Sequence, residues 1–159
     1  MKKTFAAIFC LISVTSAFAE SGQFEVLSGG SVSVVSNDFG SSNFSITNVR
    51  YTNRVISSNL SFFGVGTINT SQCLGTLSSE NSKTTGGGTC LGTDTDGDKW
   101  RLNYTRTDST GQTVFGVAEL IGLTGKFANA KGTCNYEQKR LVLDGIINVS
   151  TLLKCSVTK

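Results

Sequence analysis

The chain has 159 residues, with 14 Lys and Arg against 11 Asp and Glu and no His. The absence of histidine excludes Ser-His-Asp and Cys-His nucleophile systems, histidine proton shuttles and any zinc site that needs imidazole. Removing Lys2 and Lys3 with the leader described next leaves 14 − 2 = 12 cations against 11 anions; this near-neutral, scattered charge lacks the basic footprint of a nucleic-acid binder.

Met1-Lys2-Lys3, the apolar residues 5–14 and Ala17-Phe18-Ala19 are the three parts of a secretory signal peptide. Residues 1–19 are therefore expected to be cleaved, and residues 20–159 to form one domain in the periplasm or outside a bacterial cell. Phe9 is too bulky for the small residue that precedes a lipidated cysteine, so Cys10 is not read as an anchor. No later stretch approaches the ~18 apolar residues of a membrane helix. An outer-membrane barrel is disfavoured because the chain ends Val157-Thr158-Lys159 without the terminal aromatic in which such proteins resemble one another.

Glycine is abundant, proline is absent and Ser, Thr and Asn fill the gaps between apolar residues. Period-2 alternation begins at Phe24-Glu25-Val26, returns at residues 31–34 and 44–47, and predicts a further strand over 54–63. Residues 78–88, polar and ending Gly86-Gly87-Gly88, read as a surface loop. Strands are then expected at 100–104, 113–121, 132–136, 140–149 and 154–157, with a short helical turn around 126–130. Asp144-Gly145 could be a tight turn or a bulge. Eight to ten short strands give an all-β prediction: a single antiparallel β-barrel of about eight strands.

Asp96-Gly97 suits a two-residue hairpin turn, which would place Asp94 opposite Lys99, Thr93 opposite Trp100 and Leu91 opposite Leu102. Trp100, Leu102, Tyr104 and Leu91 would then share one face, with Cys90 on the other. Beyond the leader stand four cysteines, Cys73, Cys90, Cys134 and Cys155. An even set behind an export signal reads as two disulfides. Of the three connectivities, Cys73–Cys90 with Cys134–Cys155 is favoured, because each closes a short segment between neighbouring strands. No C-x-x-C occurs, so redox catalysis has no support.

Two candidate sites remain. Asp94, Asp96 and Asp98 surround one turn and could hold calcium, although Gly97 and Lys99 fall where a calcium loop of the EF type has neither residue. Glu119 shares the face of Phe115, Val117 and Ile121 in the expected strand, which would set a carboxylate among apolar side chains as a candidate catalytic acid or ligand anchor. No cofactor other than calcium is suggested, and nothing in the sequence sets the oligomeric state.

Residues 122–133 read Gly-Leu-Thr-Gly-Lys-Phe-Ala-Asn-Ala-Lys-Gly-Thr. This resembles the G-G-T/S-G-x-F-x-x-A-x-G segment of the dirigent and allene oxide cyclase-like barrels, carried by Gly122, Gly125, Phe127, Ala130 and Gly132. It is also similar to small exported bacterial proteins that join a D-x-D-G-D hairpin to such a segment. Leu123 departs from the second glycine. The resemblance implies an eight-stranded barrel with an interior pocket and transfers no catalytic residue. The expectation is an exported, non-catalytic barrel that binds a small apolar or amphipathic ligand. An isomerase- or cyclase-like enzyme and a structural surface or fimbrial subunit are the alternatives.

Overall fold

The computed structural model describes residues 19–39, 42–80 and 83–159. The expected signal peptide lies outside the described residues except for Ala19. Eight antiparallel strands follow in chain order: β1 (Ser21–Phe39), β2 (Ser42–Ser58), β3 (Ile68–Glu80), β4 (Lys83–Asp94), β5 (Lys99–Thr110), β6 (Thr113–Gly122), β7 (Lys131–Leu143) and β8 (Ile146–Thr158). Each pairs with the next, and β8 returns to β1, so the all-β chain is a closed barrel. Closure pairs every strand on both sides over most of its length, which is how an antiparallel sheet limits edge-to-edge association. The expected helical turn is a 3-10 turn at Gly125–Phe127.

Alternation decides which side chains face inward. On β3, Asn69, Ser71, Cys73 and Gly75 are buried, while the residues between them are exposed. Both disulfides join residues directly opposite one another on adjacent strands, Cys73 to Cys90 and Cys134 to Cys155, and all four cysteines point into the barrel. The favoured connectivity is the observed one, and its two bridges are compatible with an oxidising compartment.

Four sequence expectations change, the first being the strand over 140–149, which the Asp144-Gly145 turn divides between β7 and β8. Residues 78–80 and 83–88 are paired strand rather than loop, since Ser78 pairs with Thr85, Ser79 with Thr84 and Glu80 with Lys83. The strand expected over 54–63 stops at Ser58; Leu60, Phe62 and Phe63 leave the sheet and bury themselves across one barrel end. The hairpin at the aspartates is shifted by one residue, with Gly92 opposite Trp100, Cys90 opposite Leu102 and Gly88 opposite Tyr104. The reason is local. The loop has three residues, Thr95-Asp96-Gly97, with Gly97 at φ 86° and the amides of Asp96 and Asp98 both donating to Asp94 Oδ1 at 2.9 Å. An extra loop residue in the left-handed conformation turns the next strand over. Cys90 therefore faces inward to meet Cys73, and Leu91 faces out. Asp144-Gly145, by contrast, is a true two-residue turn with positive φ at both positions, closed by the Leu143–Ile146 pair.

The abundance of glycine has a packing cause. Each inward tyrosine and the single tryptophan lies opposite a glycine on the neighbouring strand: Tyr51 on Gly30, Trp100 on Gly92, Tyr104 on Gly88 and Tyr136 on Gly116. A Cβ at Gly92 would fall into the Trp100 ring and one at Gly116 into the Tyr136 ring. Glycine thus makes room for rings too large for an eight-stranded interior lined throughout by side chains.

The two barrel ends differ. One is closed by a stack in which the Phe63 ring lies 4.1 Å from Phe24 and 4.7 Å from Phe127, with Phe127 fully buried. The other is the end of the four hairpin tips, where the β1–β2 and β7–β8 tips expose Val35, Ile46, Leu141, Val142, Leu143 and Ile146. β1 pairs with β8 only as far as Val32, so the β1–β2 tip stands away from its neighbour.

Candidate functional site

The lumen between the phenylalanine plug and the hairpin tips holds a cavity of about 150 Å³. Its lower part is apolar, lined by Phe24, Val26, Trp100, Leu102, Leu120 and Leu153. Beside this layer, buried Asn53 donates to Asn69 Oδ1 at 2.8 Å and to Ser71 Oγ at 3.1 Å. Above it lies a layer of phenols. Tyr51 accepts from Gln138 Nε2 at 2.6 Å, and Tyr104 and Tyr136 meet edge to face with centroids 6.3 Å apart.

Two arginines complete the wall toward the tips. Arg106 on β5 and Arg140 on β7 both line the cavity, and the lining contains no Asp or Glu. Arg106 stands where the β5–β6 register shifts, between Arg106 and Asp108, and such a bulge re-aims the side chain beside it. Arg140 continues the inward parity of Cys134, Tyr136 and Gln138 along β7. Among the described residues neither guanidinium forms an ion pair, and Arg106 Nε is buried without a hydrogen-bond partner. The indole N–H of Trp100, in the apolar layer, likewise lacks a protein partner.

The environment moves the titrations of these groups in one pattern. Burial pushes the hydroxyls of Tyr51 and Tyr104 up, and it carries Tyr136, with the two neighbouring phenols adding to it, to about 12. Bonds from Thr151 and Gln138 to Tyr51, and from Thr47 to Tyr104, hold part of those shifts back. Burial draws the Arg106 guanidinium down, and the like charge of Arg140 acts in the same direction. The phenols are therefore neutral donors at neutral pH, next to two cations.

The three aspartates lie at the opposite end, by the plug. Burial alone would raise the Asp94 carboxyl, but Lys126 and the amides of Asp98 and Asp96 reverse this and hold it below the usual carboxylate range. Lys126 Nζ lies 2.6 Å from Asp94 Oδ2 and 2.6 Å from Asp96 Oδ2, and its own titration is raised chiefly by those two carboxylates. Asp98 Oδ2 accepts from the Lys126 backbone amide at 3.0 Å. The position expected for calcium is thus taken by an ammonium group, and among the described residues no three His, Cys, Asp or Glu side chains are placed to hold a metal. The turn clamps the β6–β7 connection to the barrel floor.

Glu119 does share a face with Phe115, Val117 and Ile121, but that face is the outside of the barrel, where Glu119 is exposed. The inner face of β6 carries Val114, Gly116, Ala118 and Leu120. Glu119 therefore lies outside the lumen, away from the apolar surroundings expected of a buried acid. The glycine-rich segment serves the floor: Phe127 and Ala130 are buried, the Gly122 amide donates to Ala130 O at 2.7 Å, a Cβ on Gly125 would strike Asp98, and one on Gly132 would strike Val157.

No family model matches the chain, and no curated protein matches it. Among solved structures, the chain is similar to a conserved protein of unknown function from Rhodopseudomonas palustris, at 6% identity and a TM-score of 0.49 over 86% of this chain and 97% of that one.

Sequence reasoning missed the lumenal Tyr51, Arg106, Tyr136, Gln138 and Arg140. A signal for four of them is present. Arg106 is two residues beyond Tyr104 in the Trp100-Leu102-Tyr104 alternation, and Tyr136, Gln138 and Arg140 extend the parity of Cys134, whose bridge must point inward.

Proposed function

We propose that this protein binds a small amphipathic molecule in the barrel lumen, without catalysis, after export through its leader. The observation that carries the reading is the lumen itself: one cavity lined largely by apolar side chains on which a few polar groups converge, among them Tyr51, Tyr104, Tyr136 and Gln138, the usual build of a small-molecule site. Its volume narrows the ligand. A cavity of this measure lined by Leu, Ile and Phe holds a benzene, and sites for larger molecules run to roughly 300 Å³ and above. The apolar part of the ligand is then close to a benzene ring or a short alkyl chain in size.

Two further observations support the reading. The carboxylates that could serve an isomerase-like reaction lie elsewhere, Glu119 on the outer face and Asp94 in an ion pair at the floor. The outer face carries Lys99, Arg101, Asn103 and Lys154 where a membrane barrel needs an apolar band. Export rests on the leader pattern and agrees with the two disulfides. The barrel also agrees with the likeness to the dirigent and allene oxide cyclase-like families.

Trp100, the sole tryptophan, lines the cavity and reports its occupancy. Titration with octanol should change its fluorescence saturably, and native mass spectrometry of protein isolated from its own cells should show a retained small molecule. A lumen that takes up neither octanol nor any cellular molecule would overturn the proposal.

A further inference from the structure

The lumen contains a charge imbalance that ligand binding in general does not require. Arg106 and Arg140 are half-buried, and a charge partly removed from water is ordinarily met by an opposite one. Yet Arg106 and Arg140 both border the cavity, the wall has no carboxylate, and among the described residues no ion pair is made by either. Asp108, which attracts Arg106, is exposed and lies outside the lining. Two cations on strands β5 and β7, separated by the single strand β6, face the same space, and Gly116 of β6 lies between Arg106 and Tyr136. Gly116 keeps that space open, because any side chain there would collide with Tyr136.

The geometry points to an anion-binding end of the lumen: Arg106 and Arg140, with the Tyr136 phenol beside them, hold the anionic head of a short amphipathic organic acid whose apolar part extends down toward Trp100. This rests on the proposed ligand-binding role and adds the chemical class of the ligand. Guanidinium groups suit a carboxylate, sulfate or phosphate ester, since they offer paired N–H donors and keep their charge at any physiological pH. The phenols are neutral at that pH and so add donors without repelling an anion. The arginines and tyrosines lie toward the tips, together with Val34, Leu77, Val114 and Ile147, and Phe24, Leu102, Leu120 and Trp100 lie toward the plug. A ligand therefore enters tail first and stops when its head meets the arginines.

The test compares three probes of one tail length, octanoate, octanol and octylammonium, on the disulfide-intact protein by calorimetry and Trp100 fluorescence. Octanoate should bind at least about tenfold more tightly than octanol, because its head gains charge-assisted hydrogen bonds that an alcohol cannot make, and octylammonium should bind worst. Arg106→Met and Arg140→Met should each reduce the ratio of octanoate to octanol affinity, with an unchanged circular dichroism spectrum and urea midpoint showing that the variants are folded. Added salt should weaken octanoate and not octanol. Equal binding of octanoate and octanol by the unaltered protein, or a preference for octylammonium, would overturn the anion site and leave the lumenal ligand reading standing. Failure of all three probes to bind would sink both.

Discussion

Replacing Lys126 with Met tests the energetics of the barrel floor. The Asp94 side chain is completely covered, whereas that of Lys126 is 32% exposed. Removing one partner of a fully buried ion pair costs about 3–5 kcal/mol, and an exposed pair contributes about 1 kcal/mol or less. Asp94 keeps two amide donors, and the ammonium it loses is partly in water, so an intermediate loss of about 2 kcal/mol follows. For a barrel of this length that is a fall in Tm of about 6–8 °C.

The pH dependence gives a second reading of the same pair. Asp94 titrates lower in the fold than in the unfolded chain, so its contribution is present above the unfolded carboxyl value and fades as pH falls through the lower, folded one. Urea denaturation should therefore show the gap between the native chain and Lys126→Met at full size near pH 7 and shrinking below about pH 4. Asp94→Asn in the Lys126→Met background should recover part of the loss, because an amide oxygen can still accept from Asp96 and Asp98 with no charge left uncompensated. A Lys126→Met penalty under about 0.5 kcal/mol, within the ordinary range of surface substitutions, would refute this account of the turn.

Tyr51, Tyr104 and Tyr136 are all the tyrosines of the chain, and all are raised, so the folded protein should show little phenolate absorbance at pH 10, where the urea-unfolded chain is about half ionised. Stability should correspondingly decline as pH rises above that value, and a tyrosine that ionises normally in the folded state would contradict the lumen described above. Gly92→Ala should displace the Trp100 ring and cost about 1–3 kcal/mol, read as a lower urea midpoint with a shifted fluorescence maximum; an unchanged spectrum would show that the ring does not rest there. Reducing the disulfides, which close sequence separations of 17 and 21 residues, should cost about 3 kcal/mol for each bridge taken singly in the chain-entropy model, and an unchanged denaturation midpoint under reductant would show that they constrain nothing.

Alternation, turn chemistry and cysteine spacing were enough to anticipate a closed barrel and both disulfides, because each of those signals acts between neighbouring strands. The errors also have physical causes. Asp96-Gly97 and Asp144-Gly145 look alike in sequence, yet only the first has an aspartate two residues upstream whose carboxylate takes two loop amides, and that longer loop reverses the faces of β5 relative to β4. The inner face of β6 is poor in apolar bulk because it carries Ala118 and because Gly116 leaves room for Tyr136, so the richer outer face of Phe115, Val117 and Ile121 read as the core and drew Glu119 with it. Gly86-Gly87-Gly88 read as a loop for the same reason: Gly88 is a seat for a ring supplied by β5, which no local window contains. The arginine pair was overlooked because it depends on two strands sharing a cavity.

The seam between β1 and β8 gives the barrel a property that a linear description conceals. Residue 20 and residue 159 exchange backbone hydrogen bonds, Glu20 N to Lys159 O at 3.0 Å and Lys159 N to Glu20 O at 2.8 Å. The ring of strands is continuous through that point. A gene in which a short linker joined position 159 to position 20, with new ends opened at the Gly111-Gln112 turn, would encode the same set of strand neighbours in a different order. The fold is in that sense circular, and its numbering begins at one of several equivalent places around the circle.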